Sequence, residues 1–230
     1  MLNPYNSIEN IENPTQLPRL TEIITLDQIA PNIFNIQMAI ALSNVIPGQF
    51  TMIGIPGFDE KPFSISHTDP LEIKVNAKGP FTQLITSGLI QKVWVRGPFG
   101  SGFTIPQPDT NSAFIITTLG GYSAMGLLYQ RSNQDRIKIF LTPDIEKINK
   151  ARLFTSYHLL NTEVFDPHDW LHDCENLYTD FYIPTAHSPQ ARNIQILETD
   201  GYIACAIGIC GRCVNADGQL ICSDGPVFIY

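Results

Sequence analysis

The sequence predicts a multidomain α+β protein, with an N-terminal antiparallel β-barrel, a small parallel α/β domain and a C-terminal cysteine-rich hairpin module. Three observations predict this order. Short β-rich segments precede residue 107, strands alternate with helices after it, and four of the five cysteines lie between positions 205 and 222. We therefore place the domains at residues 1–107, 108–200 and 201–230.

The first predicted domain is a series of short strands. Segments such as IFNIQMAIAL, GQFTMIGIP, LEIKVNAK and KVWVRGPFG are rich in β-branched and aromatic residues. Pro, Gly, Asn and Asp separate them, and strands at this spacing favour an antiparallel barrel. One helix, roughly PFTQLITSGLI, interrupts the strands, and Gly97, Gly100 and Gly102 are expected to form a tight corner at the end of the barrel.

The second predicted domain follows the linker PQPDTNS. The segment AFIITTLGGYSAMGLLYQRS predicts a buried strand, a Gly-Gly turn and a helix, and DRIKIFLTP and YTDFYIPT predict two further strands. Strands that alternate with helices indicate a parallel α/β sheet. The segment PHDWLHDC contains two histidines and a cysteine, and we interpret it as a loop or short helix because its spacing matches no metal-site template.

The cysteine spacing of the C-terminal module carries the strongest chemical signal. Cys205, Cys210 and Cys213 follow the C-x4-C-x2-C pattern of plant-type [2Fe–2S] ligands, and Cys222 supplies the fourth thiol. Asp217-Gly218 is a turn dipeptide, so a hairpin is expected to carry Cys222 back beside the loop. The sequence therefore favours an iron–sulfur cluster at these four cysteines.

Two other interpretations of the four thiols stay open. A structural zinc site usually pairs two C-x2-C knuckles, and here only Cys210 and Cys213 have that spacing. Disulfides suit secreted domains, whereas this chain opens with MLNPYNSIENIENP, which has neither the basic nor the apolar part of a signal peptide. Gly208 and Gly211 add support for the cluster, because glycine lets backbone amides approach sulfur closely.

Charge and hydropathy exclude two classes of partner. The formal net charge is −8, from 14 basic and 22 acidic side chains, which argues against nucleic acid because phosphate binding needs a basic face. No run of 18 apolar residues is present, so we expect no membrane span and a protein of the cytoplasm. An anionic cofactor must then be held by local groups such as loop amides and helix N-termini.

Four segments carry family motifs in a recognisable order. PGQFTMIGIPGFDEKPFSIS is similar to a strand–loop–strand with the flavin motif Arg-Pro-x-Ser, and KGPFTQLI to a second flavin segment. VRGPFGSGF is similar to Gly-Pro-x-Gly-x-Gly-Phe, and CGRCVNADGQLICSDGPVF to a cysteine tail. Together they resemble the electron-transfer subunits of type B dihydroorotate dehydrogenase, in the ferredoxin-reductase superfamily.

The resemblance implies two cofactors, FAD in the barrel and a [2Fe–2S] cluster at the cysteines. The implied flavin-binding residues are Lys61, Pro62, Phe63, Ser64, Gly79, Phe81 and Thr82. The family usually has arginine where this chain has Lys61, and a lysine binds phosphate as a point charge without the bidentate fork.

The resemblance also implies a function, that of an oxidoreductase subunit in pyrimidine biosynthesis that is inactive on dihydroorotate alone. Its expected partner is an FMN-containing catalytic subunit, whose electrons would pass through the cluster and FAD of this chain to NAD, the family's acceptor. The nicotinamide segment departs from the family pattern. LGGYSAMG keeps Gly120 and Gly121, but Tyr122 and Ser123 follow and the usual proline is absent. We therefore expect weak or lost nicotinamide binding.

Two further functions are compatible with the sequence. One is a reductase subunit of a hydrogenase or transhydrogenase-type complex, with the same cofactors and another partner. The other is a non-enzymatic binding protein with a zinc-stapled tail and a degenerate flavin domain. A visible spectrum with metal analysis separates the last from the rest, because zinc is colourless and contributes no flavin band.

Overall fold

Two β-sheets organise the chain in a computed structural model that describes residues 17–149, 153–159, 174–181, 193–199 and 201–230. The first sheet closes into a six-stranded barrel, and the second is a six-stranded mixed sheet. The predicted fold class is confirmed by this arrangement. Among the described residues, no helix has the length and apolar character that a membrane crossing requires.

The barrel is formed by six antiparallel strands in the order β1-β2-β5-β4-β3-β6. Their bounds are β1 Arg19–Ala30, β2 Ile33–Met38, β3 Phe50–Gly54, β4 Glu60–Thr68, β5 Leu71–Asn76 and β6 Lys92–Phe99. Alternation sets the core, and in β5 the side chains of Leu71, Ile73 and Val75 point inward. A short helix, α1 (Pro80–Ile85), covers one end and buries Phe81 and Ile85.

The second sheet has the order β12-β11-β10-β7-β8-β9 and is parallel except for β12. Its elements are β7 Ser112–Ile116, α2 Leu119–Gln130, β8 Ile137–Leu141, α3 Pro143–Glu146, β9 His158–Leu159, β10 Asn176–Thr179, β11 Asn193–Leu197 and β12 Val227–Ile229. All five residues of β7 are buried, as expected for a central parallel strand. Of the segment PHDWLHDC, residues 167–173 lie outside the described residues.

Helix α2 joins the two sheets. Leu127 packs into the barrel core, whereas Met125 and Leu128 pack into the core of the second sheet. The helix therefore buries side chains on two faces, which explains why it is apolar nearly all round. This double contact fixes the barrel against the α/β domain and creates a cleft at the N-terminal end of the helix.

The C-terminal tail crosses the boundary that the sequence suggests at residue 201. Its last strand, β12, pairs with β11 of the second sheet. Before that strand, the tail packs on the glycine corner of the barrel, where a Cβ at Gly100 would lie 2.5 Å from the carbonyl oxygen of Gly225. Gly100 has a φ of +77°, so the corner needs glycine for both conformation and space. The cysteine module is thus anchored to both domains.

Candidate functional site

A cleft of about 520 Å³ opens between the barrel and the second sheet. Strand β4 contributes Pro62, Phe63 and Ser64 to its wall, and Thr82 of α1 joins them. The start of α2 and the end of β11 form the opposite wall. Four of the seven predicted flavin residues therefore face one space between the two domains.

A second cavity, of about 490 Å³, continues along the barrel surface. It is lined by the remaining predicted residues, Lys61, Gly79 and Phe81, and again by Thr82. The two cavities share Asn76, Lys78 and Thr82, so together they form one elongated trough. The structure thus brings all seven predicted residues together, and their contact with a flavin stays a prediction.

Helix α1 shapes the floor of this trough through its first turn. The amide of Gly79 donates to the Thr82 hydroxyl oxygen at 3.0 Å, and that hydroxyl lies 3.0 Å from the Gly79 carbonyl. The start of a helix can bind an anion through free amides, but the Gly79 amide is already bonded to Thr82. Phe81 is buried and stacks on Phe63 with 6.3 Å between ring centroids, so it supports the Phe63 ring from behind.

The cations along the trough differ in what they contact. Lys61 lines the second cavity with its ammonium 5.5 Å from the centroid of the Tyr202 ring. Lys74 lines the cleft but is 2.9 Å from the carboxylate of Glu72, so its charge is largely neutralised. Lys78 lines both cavities and forms no ion pair within the described part of the chain. Sequence reasoning did not single out Lys78, although it is the first residue of the second flavin segment, KGPFTQLI.

Asn76 supplies the clearest test of which ligand fits the trough. Its Oδ1 atom is buried and has no hydrogen-bond partner among the described residues. A buried acceptor without a donor costs about 1–3 kcal/mol. Because Asn76 lies where the two cavities meet, a ligand with hydroxyl groups along a linking chain, such as the ribityl chain of a flavin, can supply the donor. The residues present therefore fit FAD.

The opposite wall is built around the first turn of α2, which contains the two glycines that the sequence placed in a turn before the helix. A Cβ at Gly120 would lie 3.2 Å from the Ser64 hydroxyl oxygen and 3.1 Å from Cγ2 of Thr199, so glycine allows the two domains to meet here. Tyr122 does not enter the cleft, which corrects the expectation from sequence. Its ring is buried, and its hydroxyl donates to Asn149 at 3.1 Å. Ser123 does line the cleft.

Asp180 occupies the N-terminal end of α2. Its carboxylate accepts hydrogen bonds from the backbone amides of Thr117 (2.8 Å) and Thr118 (2.7 Å) and from both of their hydroxyls. Burial raises the pKa of Asp180, and these four donors act against that rise. A Cβ at Gly121 would lie within van der Waals overlap of the carboxylate, at 1.9 Å, which explains the second glycine of the turn. Sequence reasoning did not identify Asp180.

The cysteine loop arranges its four thiols in two neighbouring pairs. The Cys210 thiol is a hydrogen-bond partner of Cys205, and Cys213 is a partner of Cys222. The predicted hairpin is present, because Val214 pairs with Leu220 across the Asp217-Gly218 turn. As a result, the Cys222 amide lies 3.4 Å from the Cys213 sulfur.

Backbone amides converge on these sulfurs. The amide of Gly208, which has a φ of +76°, donates to Cys222 Sγ at 3.2 Å. Burial acts to raise the pKa of Cys205, but hydrogen bonds from the amides of Ile207 and Cys210, the Cys210 thiol and the Ile209 amide outweigh it and lower the pKa to about 6. Burial, aided by Cys213, raises the pKa of Cys222 to about 12.

The donor set and its pairing fit a [2Fe–2S] cluster. Such a cluster takes two thiolates at each of two irons, which the two pairs can supply. Amides directed at sulfur stabilise the negative charge of the thiolates. Within the described ranges, no three His, Cys, Asp or Glu side chains are grouped so that they could hold a single metal ion.

The cleft and the cysteine loop share a wall. Phe50 and Ile203 line the cleft and also belong to the buried cluster that contains Cys213 and Cys222. Phe99 extends this cluster, with its ring centroid 5.8 Å from that of Phe50. A thin apolar layer therefore separates the two candidate cofactor sites.

Comparisons with known proteins agree with this geometry. Residues 200–230 match the family model of the iron–sulfur cluster binding domain of dihydroorotate dehydrogenase B. The chain is 31% identical over 207 residues to the probable dihydroorotate dehydrogenase B (NAD(+)), electron transfer subunit, of Thermococcus kodakarensis, covering 79% of this chain and 84% of the relative. The protein of the same name from Archaeoglobus fulgidus is 29% identical over 236 residues, covering 93% and 94%.

Solved structures share the fold at low sequence identity. An NADH-dependent reduced ferredoxin-NADP oxidoreductase superposes with a TM-score of 0.72 at 17% identity, over 92% of this chain and 88% of that chain. Phthalate dioxygenase reductase superposes with a TM-score of 0.53 at 12% identity, over 70% and 60%.

The barrel, the mixed sheet and the cleft between them define a ferredoxin-reductase-like fold with an attached cysteine module. Within that class, the chain belongs to the family of electron-transfer subunits of dihydroorotate dehydrogenase B. The family predicted from sequence is thereby confirmed. Family membership and the cluster-domain match agree with the predicted cofactors, FAD and a [2Fe–2S] cluster.

Proposed function

We propose that this chain receives electrons from the FMN of a dihydroorotate-oxidising catalytic subunit and passes them through a [2Fe–2S] cluster to FAD in the cleft. The observation that carries the proposal is the shared wall between the two sites. Phe50 and Ile203 belong to both the cleft and the buried surroundings of Cys213 and Cys222. A short apolar separation suits electron transfer, because it holds two cofactors close together and keeps water out.

The barrel wall supplies the residues proposed to bind FAD. Phe63 and Ser64 of the cleft wall would contact the flavin ring, and Gly120 lets the second domain approach the same space. Asn76 accepts from the linking chain, and Lys78 provides the cation for the pyrophosphate. A bound flavin can exchange single electrons with a cluster and electron pairs with a two-electron acceptor.

Pro62 and Thr82 complete the trough, and Gly79 lets the chain turn into α1 beside it. Lys61 lies further along the second cavity, next to Tyr202. We propose that Lys61 stabilises the outer end of the cofactor as a single charge, while Phe81 positions the Phe63 ring.

The surface of the cysteine loop supports an obligate partner. Cys210 is exposed, and Ile209 beside it is 81% exposed. Tyr202, Ile207 and Val214 add exposed apolar area around the same loop. An exposed apolar rim next to an exposed cluster cysteine fits the docking face of the FMN subunit, which would also shield the cluster from water. Family membership favours this partner over a hydrogenase or transhydrogenase-type complex.

The experiment that tests the proposal is co-expression with a dihydroorotate-oxidising FMN subunit under anaerobic conditions. We expect a heteromer with FAD and about two irons and two sulfides for each copy of this chain. Dihydroorotate should bleach the flavin band of the heteromer and leave the isolated chain unchanged. Cys213→Ser should abolish the iron and sulfide content, whereas Cys174→Ser serves as the matched control and should retain both. One zinc without sulfide in the wild-type protein contradicts the proposal.

For the electron acceptor, we propose that NAD binds weakly at the second domain. The amides of Thr117 and Thr118, at the turn where dinucleotide folds bind phosphate, are bonded to Asp180. A second anion at this turn would also meet the negative charge of that carboxylate. The test is an anaerobic titration of the heteromer with NADH. Slow or absent bleaching of the flavin at micromolar NADH is expected, and fast bleaching contradicts weak binding.

A further inference from the structure

An ion pair lies on the outer face of the barrel beside the cysteine loop, apart from both cavities. Arg96 Nε is 3.1 Å and 3.0 Å from the two carboxylate oxygens of Glu60, and its Nη2 bonds to the same carboxylate. The Arg96 side chain is 15% exposed and that of Glu60 is 28% exposed. The pair is therefore partly desolvated and held in the bidentate geometry that guanidinium and carboxylate favour.

The barrel is built to allow this pair. Glu60 begins β4 and Arg96 belongs to β6, while β3 lies between these two strands. Gly54 of β3 is the register partner of Glu60, and a Cβ at Gly54 would lie 3.0 Å from Glu60 Cγ. The missing side chain at Gly54 lets Glu60 pass over β3 and reach the guanidinium. The pair thus depends on Gly54 in β3, the strand between Glu60 and Arg96.

The positive end of the pair faces the cysteine loop. Arg96 Nη2 donates to the backbone carbonyl of Cys205 at 3.5 Å. The guanidinium also lies 5.3 Å from the centroid of the Phe99 ring, which packs in the cluster around Cys213 and Cys222. Arg96 is therefore held between Glu60 on one side and the backbone of the first cysteine on the other.

We propose that the Arg96–Glu60 pair tunes the reduction potential of the [2Fe–2S] cluster, with Arg96 as a positioning residue for the Cys205 segment. The inference rests on the proposed function. Reduction adds one negative charge to the cluster, so a nearby guanidinium stabilises the reduced state. Glu60 offsets part of that field. With both residues present, the reduction potential of the cluster lies between the higher value expected with Arg96 alone and the lower value expected with Glu60 alone.

The test is a potentiometric titration of the full chain, loaded with cluster and flavin, followed by the electron paramagnetic resonance signal of the reduced cluster. Arg96→Gln removes the cation and leaves the Glu60 charge, so the midpoint potential should fall. Glu60→Gln leaves the cation unpaired, so the midpoint should rise. Arg96→Lys keeps the charge but not the fork, and should shift the midpoint less than Arg96→Gln.

A role in structure alone predicts a different pattern. Both substitutions would then loosen the loop and reduce the iron and sulfide content, without potentials that move in opposite directions. Lys92→Gln is the matched control, because Lys92 lies on the same strand and forms an exposed pair with Glu22. It removes one charge and should leave the midpoint unchanged.

The inference is overturned if the midpoint potential shifts in the same direction in Arg96→Gln and Glu60→Gln. It is also overturned if Lys92→Gln shifts the midpoint as much as either of them. If Arg96→Gln does not retain a cluster, the midpoint potential of Glu60→Gln tests the inference by itself. A Glu60→Gln midpoint that is not higher than that of the wild type then overturns the inference. A wild-type chain without iron and sulfide overturns the proposed function together with this inference. If the wild-type chain contains the cluster and the variants have its midpoint potential, the inference is overturned and the proposed function is not.

Discussion

Two carboxylates, the half-buried Glu72 of the barrel and the buried Asp180 of the second domain, are stabilised by different partners. Glu72 of the barrel lies beside Lys74, and although burial acts to raise its pKa, the lysine and the hydrogen bonds from Asn35 and Gln37 lower the pKa to about 2. Asp180 of the second domain is satisfied by amides and hydroxyls, and burial raises its pKa. One carboxylate is stabilised by a cation, the other only by neutral donors.

This difference determines which groups each wall of the cleft can offer to an anionic ligand. In the barrel, Glu72 neutralises Lys74 but leaves Lys78 and the Asn76 acceptor available to a ligand. In the second domain, Asp180 satisfies the amides of Thr117 and Thr118 from within the protein. The barrel wall thus presents Lys78, which forms no ion pair among the described residues, to an anionic ligand, whereas the opposite wall carries its own anion.

The largest effect should follow from adding a methyl group at the α2 turn. Gly121→Ala places a Cβ 1.9 Å from the buried carboxylate of Asp180, so we expect the free energy of unfolding to fall by about 3 kcal/mol. Gly79→Ala on the barrel wall is the control, because its Cβ would meet nothing closer than 3.9 Å. Urea denaturation of both variants measures the difference. Equal losses would show that Asp180 can move aside.

Removing the charge of Asp180 should have the next largest effect. Asp180→Asn replaces one acceptor oxygen with a donor, so at least one amide loses its partner and we expect a loss of about 2 kcal/mol at neutral pH. Because burial raises the pKa of Asp180, its ionisation costs stability as the pH rises from the unfolded value through the raised pKa. This decrease of the free energy of unfolding with rising pH should be absent in Asp180→Asn. If the decrease persists in that variant, another ionisable group causes it.

A smaller effect is expected for the unpaired cation of the barrel wall. Lys78→Gln should weaken FAD binding about tenfold, which corresponds to about 1.4 kcal/mol, because a phosphate loses one charged partner. Fluorescence titration of the apoprotein with FAD gives the dissociation constants. Lys92→Gln, which changes an exposed lysine, should bind FAD as the wild type does. Equal affinity of Lys78→Gln and wild type would place the pyrophosphate elsewhere.

The smallest effect should come from Glu72. Glu72→Gln removes a half-buried ion pair but keeps a hydrogen-bonding side chain, so we expect a loss of about 1 kcal/mol at pH 7. The lowered pKa of Glu72 stabilises the fold above its unfolded value near 4.5, and this contribution disappears as the pH falls toward about 2. The wild type and Glu72→Gln should therefore converge in acid. Glu22→Gln, in an exposed pair, provides the control.

The sequence was most informative where one local pattern serves one purpose. The spacing of Cys205, Cys210 and Cys213 and the turn at Asp217-Gly218 predicted a loop and hairpin that the structure contains. Short β-rich segments separated by Pro, Gly, Asn and Asp predicted the barrel, because turn residues at this spacing mark the ends of short antiparallel strands. The motifs placed the segments around Lys61 and Gly79 in one site, and both lie on the same trough because β4, which carries Lys61, pairs with β5, which precedes Gly79.

The sequence was least informative where residues distant in the chain meet. Tyr122 follows the glycine turn, but a helix rotates successive side chains by about 100°, so the ring points into the core rather than the cleft. Asp180 lies some 60 positions from the amides that it bonds, a pairing that only the parallel alignment of β7 and β10 creates. No short sequence pattern predicts the buried position of the Tyr122 ring or the hydrogen bonds of Asp180.

The sequence by itself therefore determined the order of the domains, the four thiols and the segments that line the trough. Those features depend on cysteine spacing, turn residues and β-rich composition, which are properties of short segments. The tertiary structure alone decided that Asn76 is left without a partner, that Asp180 satisfies the second domain's helix, and that Arg96 faces Cys205. These are contacts between separate strands and loops, and hydrogen bonds and charges of this kind depend on distances that only the packed fold fixes.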